Sequence, residues 1–200
     1  MSKKNFYFII FLLISYCCSN RLLAQLPEGF VYVKNIVPDI EVSLSYYSNE
    51  NFVGDTIQSY HDNVLILSEA SAYALAKVQS ELQSQNFCLL VFDGYRPQTA
   101  VNHFVKWARN LNDTINKPKY YPEVEKTYLF RDGYIASKSG HSRGSTIDLT
   151  LIDGNTGEAL DMGTPFDFFG IESAVNYQDL SDQQKANRTI LQNAMLKHGF

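Results

Sequence analysis

Apolar positions recur along this chain with two periods. From Phe30 to Val37 and from Glu41 to Tyr46 the residues are β-rich, and Ile40, Val42 and Leu44 alternate with polar neighbours as in half-buried strands. Ser68 stands as an N-cap before a helical stretch reaching about Gln83, with Ala70, Ala74, Val78 and Leu82 on one face. The run from Phe87 to Phe92 is continuously apolar and closes at Asp93-Gly94, which predicts a strand buried on both faces. A second helix follows, with Pro97 in its first turn and Val101, Phe104, Val105, Ala108 and Leu111 inward. Asn112 to Lys138 is polar, contains Pro and Tyr, and reads as a long excursion with little regular structure; such loops in compact domains are commonly functional. Between Ser145 and Ile152, Ile147, Leu149 and Leu151 point one way and Thr146, Asp148 and Thr150 the other, so a core strand carries a carboxylate that needs a partner. The last helix opens with Ser181 and Gln184 in capping-box spacing, turns Ile190, Leu191, Ala194 and Met195 inward, and meets Gly199 at a C′ position.

Strands interleaved with helices, some neighbouring strands antiparallel, make the fold class α+β. With 200 residues, 45% of them apolar and 19% charged, the chain is long enough to close one core and is neither disordered nor a polytopic membrane protein. No repeat or low-complexity linker divides it. The net charge of −4, without a basic block, gives no footprint for nucleic acid.

Residues 1–24 read differently. Lys3 and Lys4 precede an apolar run from Phe6 to Ile14, followed by a small or mixed stretch to Ala24, which is the build of a secretory signal peptide and too short for a spanning anchor. The expectation is a mature domain over 25–200, exported to the periplasm, with a lipid anchor at Cys17 or Cys18 as the alternative. Loss of the leader takes three bases and two of three cysteines, leaving a net charge of about −7 and the single thiol of Cys88 in an apolar run, where it reads as a core residue.

Three polar clusters carry the candidate chemistry: Asp93-Gly94-Tyr95-Arg96-Pro97, the stretch from Ser139 to Asp148, and the stretch from Met162 to Phe168. A turn containing Gly144 separates His141 from Asp148, so an imidazole and a carboxylate can converge at one strand mouth. Both are ligand types suited to Zn²⁺. Taken alone they fit equally a hydrogen-bonded histidine with Asp148 accepting from loop amides. Arg96, just past a buried strand, is either an oxyanion donor or a surface arginine paired with Asp93. His61 and His103 are isolated, and Lys138 reads as solvated.

Together the motifs are specific. Ser139-x-His141-x-x-Gly144-x-x-x-Asp148 resembles the zinc D-alanyl-D-alanine dipeptidases associated with vancomycin resistance, which share a zinc-binding α+β fold with D,D-carboxypeptidases, some phage endolysins and the hedgehog amino-terminal domain. The resemblance runs from about Ile40 to Phe200 and includes Asp93-Gly-Tyr-Arg-Pro and Met162-Gly-x-x-Phe-Asp-Phe in the same order. It implies a central, mostly antiparallel sheet with helices on one side and a zinc site in a cleft. It further implies one Zn²⁺ per chain held by His141 and Asp148, transition-state stabilisation by Arg96, an Asp167 carboxylate for the ammonium of the dipeptide, and Ser139 and Tyr46 lining the substrate cavity. The implied reaction is hydrolysis of the small dipeptide D-alanyl-D-alanine in cell-wall metabolism. A D,D- or L,D-carboxypeptidase, or a protein that binds peptidoglycan fragments without cleaving them, is the alternative. In the resembled family the general base and the third ligand come from a Glu-x-x-His segment after the last helix. The present sequence contains no such segment and reaches Lys197-His198-Gly199-Phe200, so the expectation is a truncated domain, with His198 accounted for by the helix dipole.

Overall fold

Residues 25–200 are described by the structure, a computed structural model; the leader assigned to residues 1–24 lies outside them. Strand β1 (Phe30–Tyr32) pairs antiparallel with β3 (Ile66–Ser68). A three-stranded sheet places β4 (Phe87–Asp93) between β2 (Glu41–Val42), which runs parallel to it, and β5 (Asp148–Asp153), which runs antiparallel. Helix α1 (Glu69–Gln83) packs on β4, and α4 (Asp182–Lys197) packs on α1 and β5. The α+β class stands, with most strand pairings among the described residues antiparallel.

The first two β-rich stretches yield shorter strands than their patterns predict. After Tyr32 the chain turns through Val33–Asn35, and after Val42 it turns through Ser45–Tyr47. Their apolar residues are buried by turning rather than by pairing: Val33, Val37, Ile40 and Leu44 all enter the core. In α1 the buried stripe is Ala72, Leu75, Val78, Gln79 and Leu82, while Ala70 is exposed and Ala74 half-buried. Alanine carries too little apolar surface to decide a face, and Leu75 decides it. Gln79 joins helix to sheet by accepting from the Leu89 N–H at 2.9 Å.

Helix α2 (Gln98–Arg109) uses Pro97 as its N-cap residue rather than within its first turn. It ends at Arg109, so Leu111 is exposed and Trp107 fills the inward position instead. The excursion from 112 to 138 holds one short α-helix, α3 (Lys117–Tyr120), and a 3-10 turn at Lys126–Tyr128, yet it is packed: Tyr120, Tyr121, Leu129 and Ile135 are buried. The Lys126 ammonium sits 3.8 Å from the Trp107 ring centre. Both halves of the α4 capping box form, Gly199 has φ +93, and Cys88 is half-buried and unpaired. His198 and Lys197 both bind Glu81 of α1, at 2.7 and 2.9 Å, which fastens the end of α4.

The reassigned face of α1 is testable. Leu75→Ala should cost about 2–5 kcal/mol in urea unfolding, and Ala70→Ser should shift it by under about 0.5 kcal/mol.

Candidate active site

Two carboxylates end up side by side because of strand register. β4 and β5 pair so that Asp93 lies opposite Asp148, after an irregularity between Val91 and Asp93. Like charges opposed across a ladder repel, and here the arrangement is held by cations and donors. Asp93 is wholly buried; its Oδ1 accepts from the Tyr60 hydroxyl at 2.6 Å and its Oδ2 from Arg96 Nε at 2.8 Å. Arg96 Nη2 also lies 2.8 Å from that Oδ2 and 3.4 Å from Asp148 Oδ2, so one guanidinium bridges both acids. Burial pushes the Asp93 carboxyl up from its ordinary range, against the pull of Arg96 and His141.

The turn that carries His141 is built by its glycine and its serine. Ser139 caps it by accepting from the His141 N–H at 3.2 Å. Gly144 ends it at φ +71, where a Cβ would stand 2.5 Å from the Phe30 ring, and its carbonyl accepts from Ser68 N–H at 2.7 Å. The imidazole Nδ1 lies 2.9 Å from the Gly94 carbonyl, an acceptor, so Nδ1 carries the proton and Nε2 keeps its lone pair. Nε2 is 3.4 Å from Asp148 Oδ1. Burial lowers the tendency of His141 to protonate, and the hydrogen bond and charge of Asp148 outweigh it, leaving the pKa raised. A site that draws a proton to Nε2 draws a metal cation there as well.

Asp93, His141 and Asp148 form a group able to hold a metal ion, their ligand atoms within 4.8 Å of one another. Both Asp93 oxygens are already engaged by Tyr60 and Arg96. The free donors are therefore His141 Nε2 and Asp148, with Asp93 behind them orienting the imidazole and the guanidinium. This pair fits a divalent metal by donor type, by spacing and by tautomer.

A cavity of about 340 Å³ opens in front, and all six residues singled out in the sequence line it: Tyr46, Arg96, Ser139, His141, Asp148 and Asp167. Asp167 sits at φ +59 between Phe166, which stacks on Phe92 at 4.7 Å, and Phe169, whose ring stacks on Tyr134 at 5.1 Å. The Tyr46 hydroxyl donates to Asp167 Oδ2 at 2.6 Å. Burial raises the Asp167 carboxyl to about 7, the Tyr46 hydrogen bond opposing. Burial lowers the proton affinity of Arg96, but Tyr46, Asp93, Tyr60 and Asp148 outweigh it, so the guanidinium stays charged with its pKa raised. Its centre lies 5.1 Å from the Tyr46 ring centre and 5.2 Å from that of Phe104.

Tyr60 was not visible as a functional residue in the sequence, because the stretch around it has no periodicity and no motif; its position in contact with Asp93 is purely tertiary. His103 accepts from the Gln58 N–H at 3.2 Å, a local bond as expected of an isolated histidine. His198 is engaged with Glu81 and takes no part in the cavity. Tyr60→Phe removes the one neutral donor to Asp93 Oδ1 among the described residues and should cost about 1–3 kcal/mol in urea unfolding, with the m-value unchanged.

The comparisons with known proteins agree with this geometry. The family model described as D-ala-D-ala dipeptidase (peptidase M15) matches residues 27–200. The D-alanyl-D-alanine dipeptidase of Enterococcus faecalis is 37% identical over 175 residues, covering 88% of this chain and 87% of the relative. The enzyme of the same name from Streptomyces coelicolor is 36% identical over 171 residues, covering 86% and 85%. That from Escherichia coli is 32% identical over 165 residues, covering 82% and 75%. A match across nearly the whole described chain, on a fold that brings the motif residues into one cavity, makes this protein a member of the D-ala-D-ala dipeptidase family of metallopeptidases.

Proposed function

We propose that the protein hydrolyses free D-alanyl-D-alanine with zinc as its metal. The observation that carries this reading is Asp167, a half-buried, desolvated carboxylate in the same cavity as the His141/Asp148 pair. A buried charge without a partner is costly. The amino-terminal ammonium of a short peptide supplies that partner, which distinguishes a dipeptidase from a carboxypeptidase acting on longer chains. Tyr46 holds the receiving oxygen in place. Zinc bound by His141 and Asp148 would polarise the scissile carbonyl and bring the pKa of water towards about 7. Arg96, fixed by Asp93 and Asp148 through Nε and Nη2, keeps Nη1 for the developing oxyanion. Ser139 spends its lone pair on the His141 N–H and retains its hydroxyl proton for the substrate. We also propose export through the leader at 1–24. Among the described residues no helix is long and apolar enough to cross a membrane.

With a Glu-x-x-His segment supplied for the general base and third ligand, the zinc-loaded protein should release D-alanine from D-alanyl-D-alanine and leave N-acetyl-D-alanyl-D-alanine and L-alanyl-L-alanine intact. Equal cleavage of the acetylated peptide would give the site to a carboxypeptidase, and binding without release would replace hydrolysis by capture. Arg96→Ala should lower kcat by about 10²–10³ with metal content unchanged, whereas His141→Ala should lose zinc by metal analysis. The affinity for the dipeptide should follow Asp167. Below a pKa of about 7 the empty site is protonated and neutral, the ion pair is lost, and Kd measured at pH 6 should exceed that at pH 8 by about tenfold.

A further inference from the structure

Two cationic side chains line the cavity, Arg96 and Lys138. They differ in what they already hold. Arg96 is bound to two carboxylates and packed over two rings. Among the described residues nothing holds the Lys138 ammonium: no carboxylate, carbonyl or ring contact engages it, and the residue is exposed at the cavity wall. Its backbone is nevertheless fixed on both sides. Gln98 at the start of α2 donates to the Ser137 carbonyl at 3.0 Å, and Ser139 caps the turn that carries His141. A mobile point charge on a four-carbon stem thus stands on an anchored segment three residues before a metal-binding histidine.

A free dipeptide is a zwitterion. If Asp167 receives its ammonium, the carboxylate lies just past the scissile bond, in a cavity whose other ionisable acids, Asp148 and Asp167, repel it. The guanidinium that could attract it is shared between Asp93 and Asp148. We propose that Lys138 receives the carboxy-terminal carboxylate of the substrate, so that the site measures its ligand by charge at both ends and admits peptides of two residues with both termini free. This assignment rests on the dipeptidase reading and adds a specificity-determining residue to it. The opposite charges at Asp167 and Lys138 also orient the peptide, since a reversed dipeptide would place like charges together at both ends.

The test is calorimetric titration of the phosphinate analogue of D-alanyl-D-alanine, as free acid and as carboxy-terminal amide, into the zinc-loaded full chain. Lys138→Met should weaken the free acid about tenfold and leave the amide within about twofold, and Lys138→Arg should restore most of the preference. Raising the salt concentration should narrow the gap between acid and amide in the unmodified protein and not in the methionine variant. Equal weakening of both ligands, or of neither, overturns the assignment and leaves the dipeptidase reading standing. Failure of the unmodified protein to bind either ligand overturns that reading and the assignment with it. Lys138 is exposed and makes no contact the fold needs, so circular dichroism of the variants should superpose on that of the unmodified protein.

Discussion

Opposed carboxylates at Asp93 and Asp148 are the constraint around which this molecule is arranged. Antiparallel register puts them together at one end of the sheet, and the fold must then import positive charge and hydrogen-bond donors to that end. Arg96 arrives from the segment that follows β4, His141 from a turn stitched to β3 through Gly144, and Tyr60 from a loop fastened to α2. Each import would be an oddity if read alone. Collectively they leave His141 Nε2 and Asp148 facing the cavity as the free donors of a group able to hold a metal ion. On the reading proposed above, the charge arrangement that would destabilise an ordinary sheet is also the one a metal cation would use, so folding and metal binding would draw on one arrangement of charge.

The second acid lining the cavity comes from a separate piece of chain. The loop from 163 to 170 presents Asp167 in a left-handed backbone conformation, which aspartate tolerates better than most residues, and two anchored phenylalanines keep it there. Tyr46 links this loop back to the site of the chemistry: its hydroxyl binds Asp167 and its ring lies beneath Arg96. The Asp167 carboxylate and the Arg96 guanidinium are therefore joined through one buried tyrosine.

Much of this was legible in the sequence, for reasons that differ by element. The strand at 87–93, the Ser68 N-cap and the Ser181/Gln184 capping box depend on local patterns, and local patterns survive folding. The β-rich stretches at 30–37 and 41–46 became shorter strands than their patterns suggest, because such patterns report burial on one side and a turn can deliver that as well as a ladder. In α1 an alanine-rich face gave no contrast, and in α2 the helix stopped before Leu111 could be used. Five of the site residues were found by motif and Tyr46 by the family resemblance, and all six do meet in one cavity. Tyr60 could not be found that way, since its role exists only where the 57–60 loop touches the end of β4, and Asp93 was seen only as a companion for Arg96 rather than as the group that aims two others.

The excursion from 112 to 138 offers a different lesson. Its rings join those of α2 and the Asp167 loop in one lattice: Trp107 meets Tyr121 at 5.7 Å, Tyr121 meets Phe169 at 6.1 Å, and Phe169 meets both Phe52 and Tyr134. The Phe169 N–H donates to the Tyr120 carbonyl at 2.7 Å, tying backbone to backbone. What reads in the sequence as a long excursion with little regular structure is a packed wall. A substrate entering here meets a shape already set, and the entropy of ordering that wall is spent when the chain folds rather than when the ligand arrives. On the dipeptidase reading such a wall would act as a gauge, its limit on peptide length set by packing made during folding rather than by a closing segment.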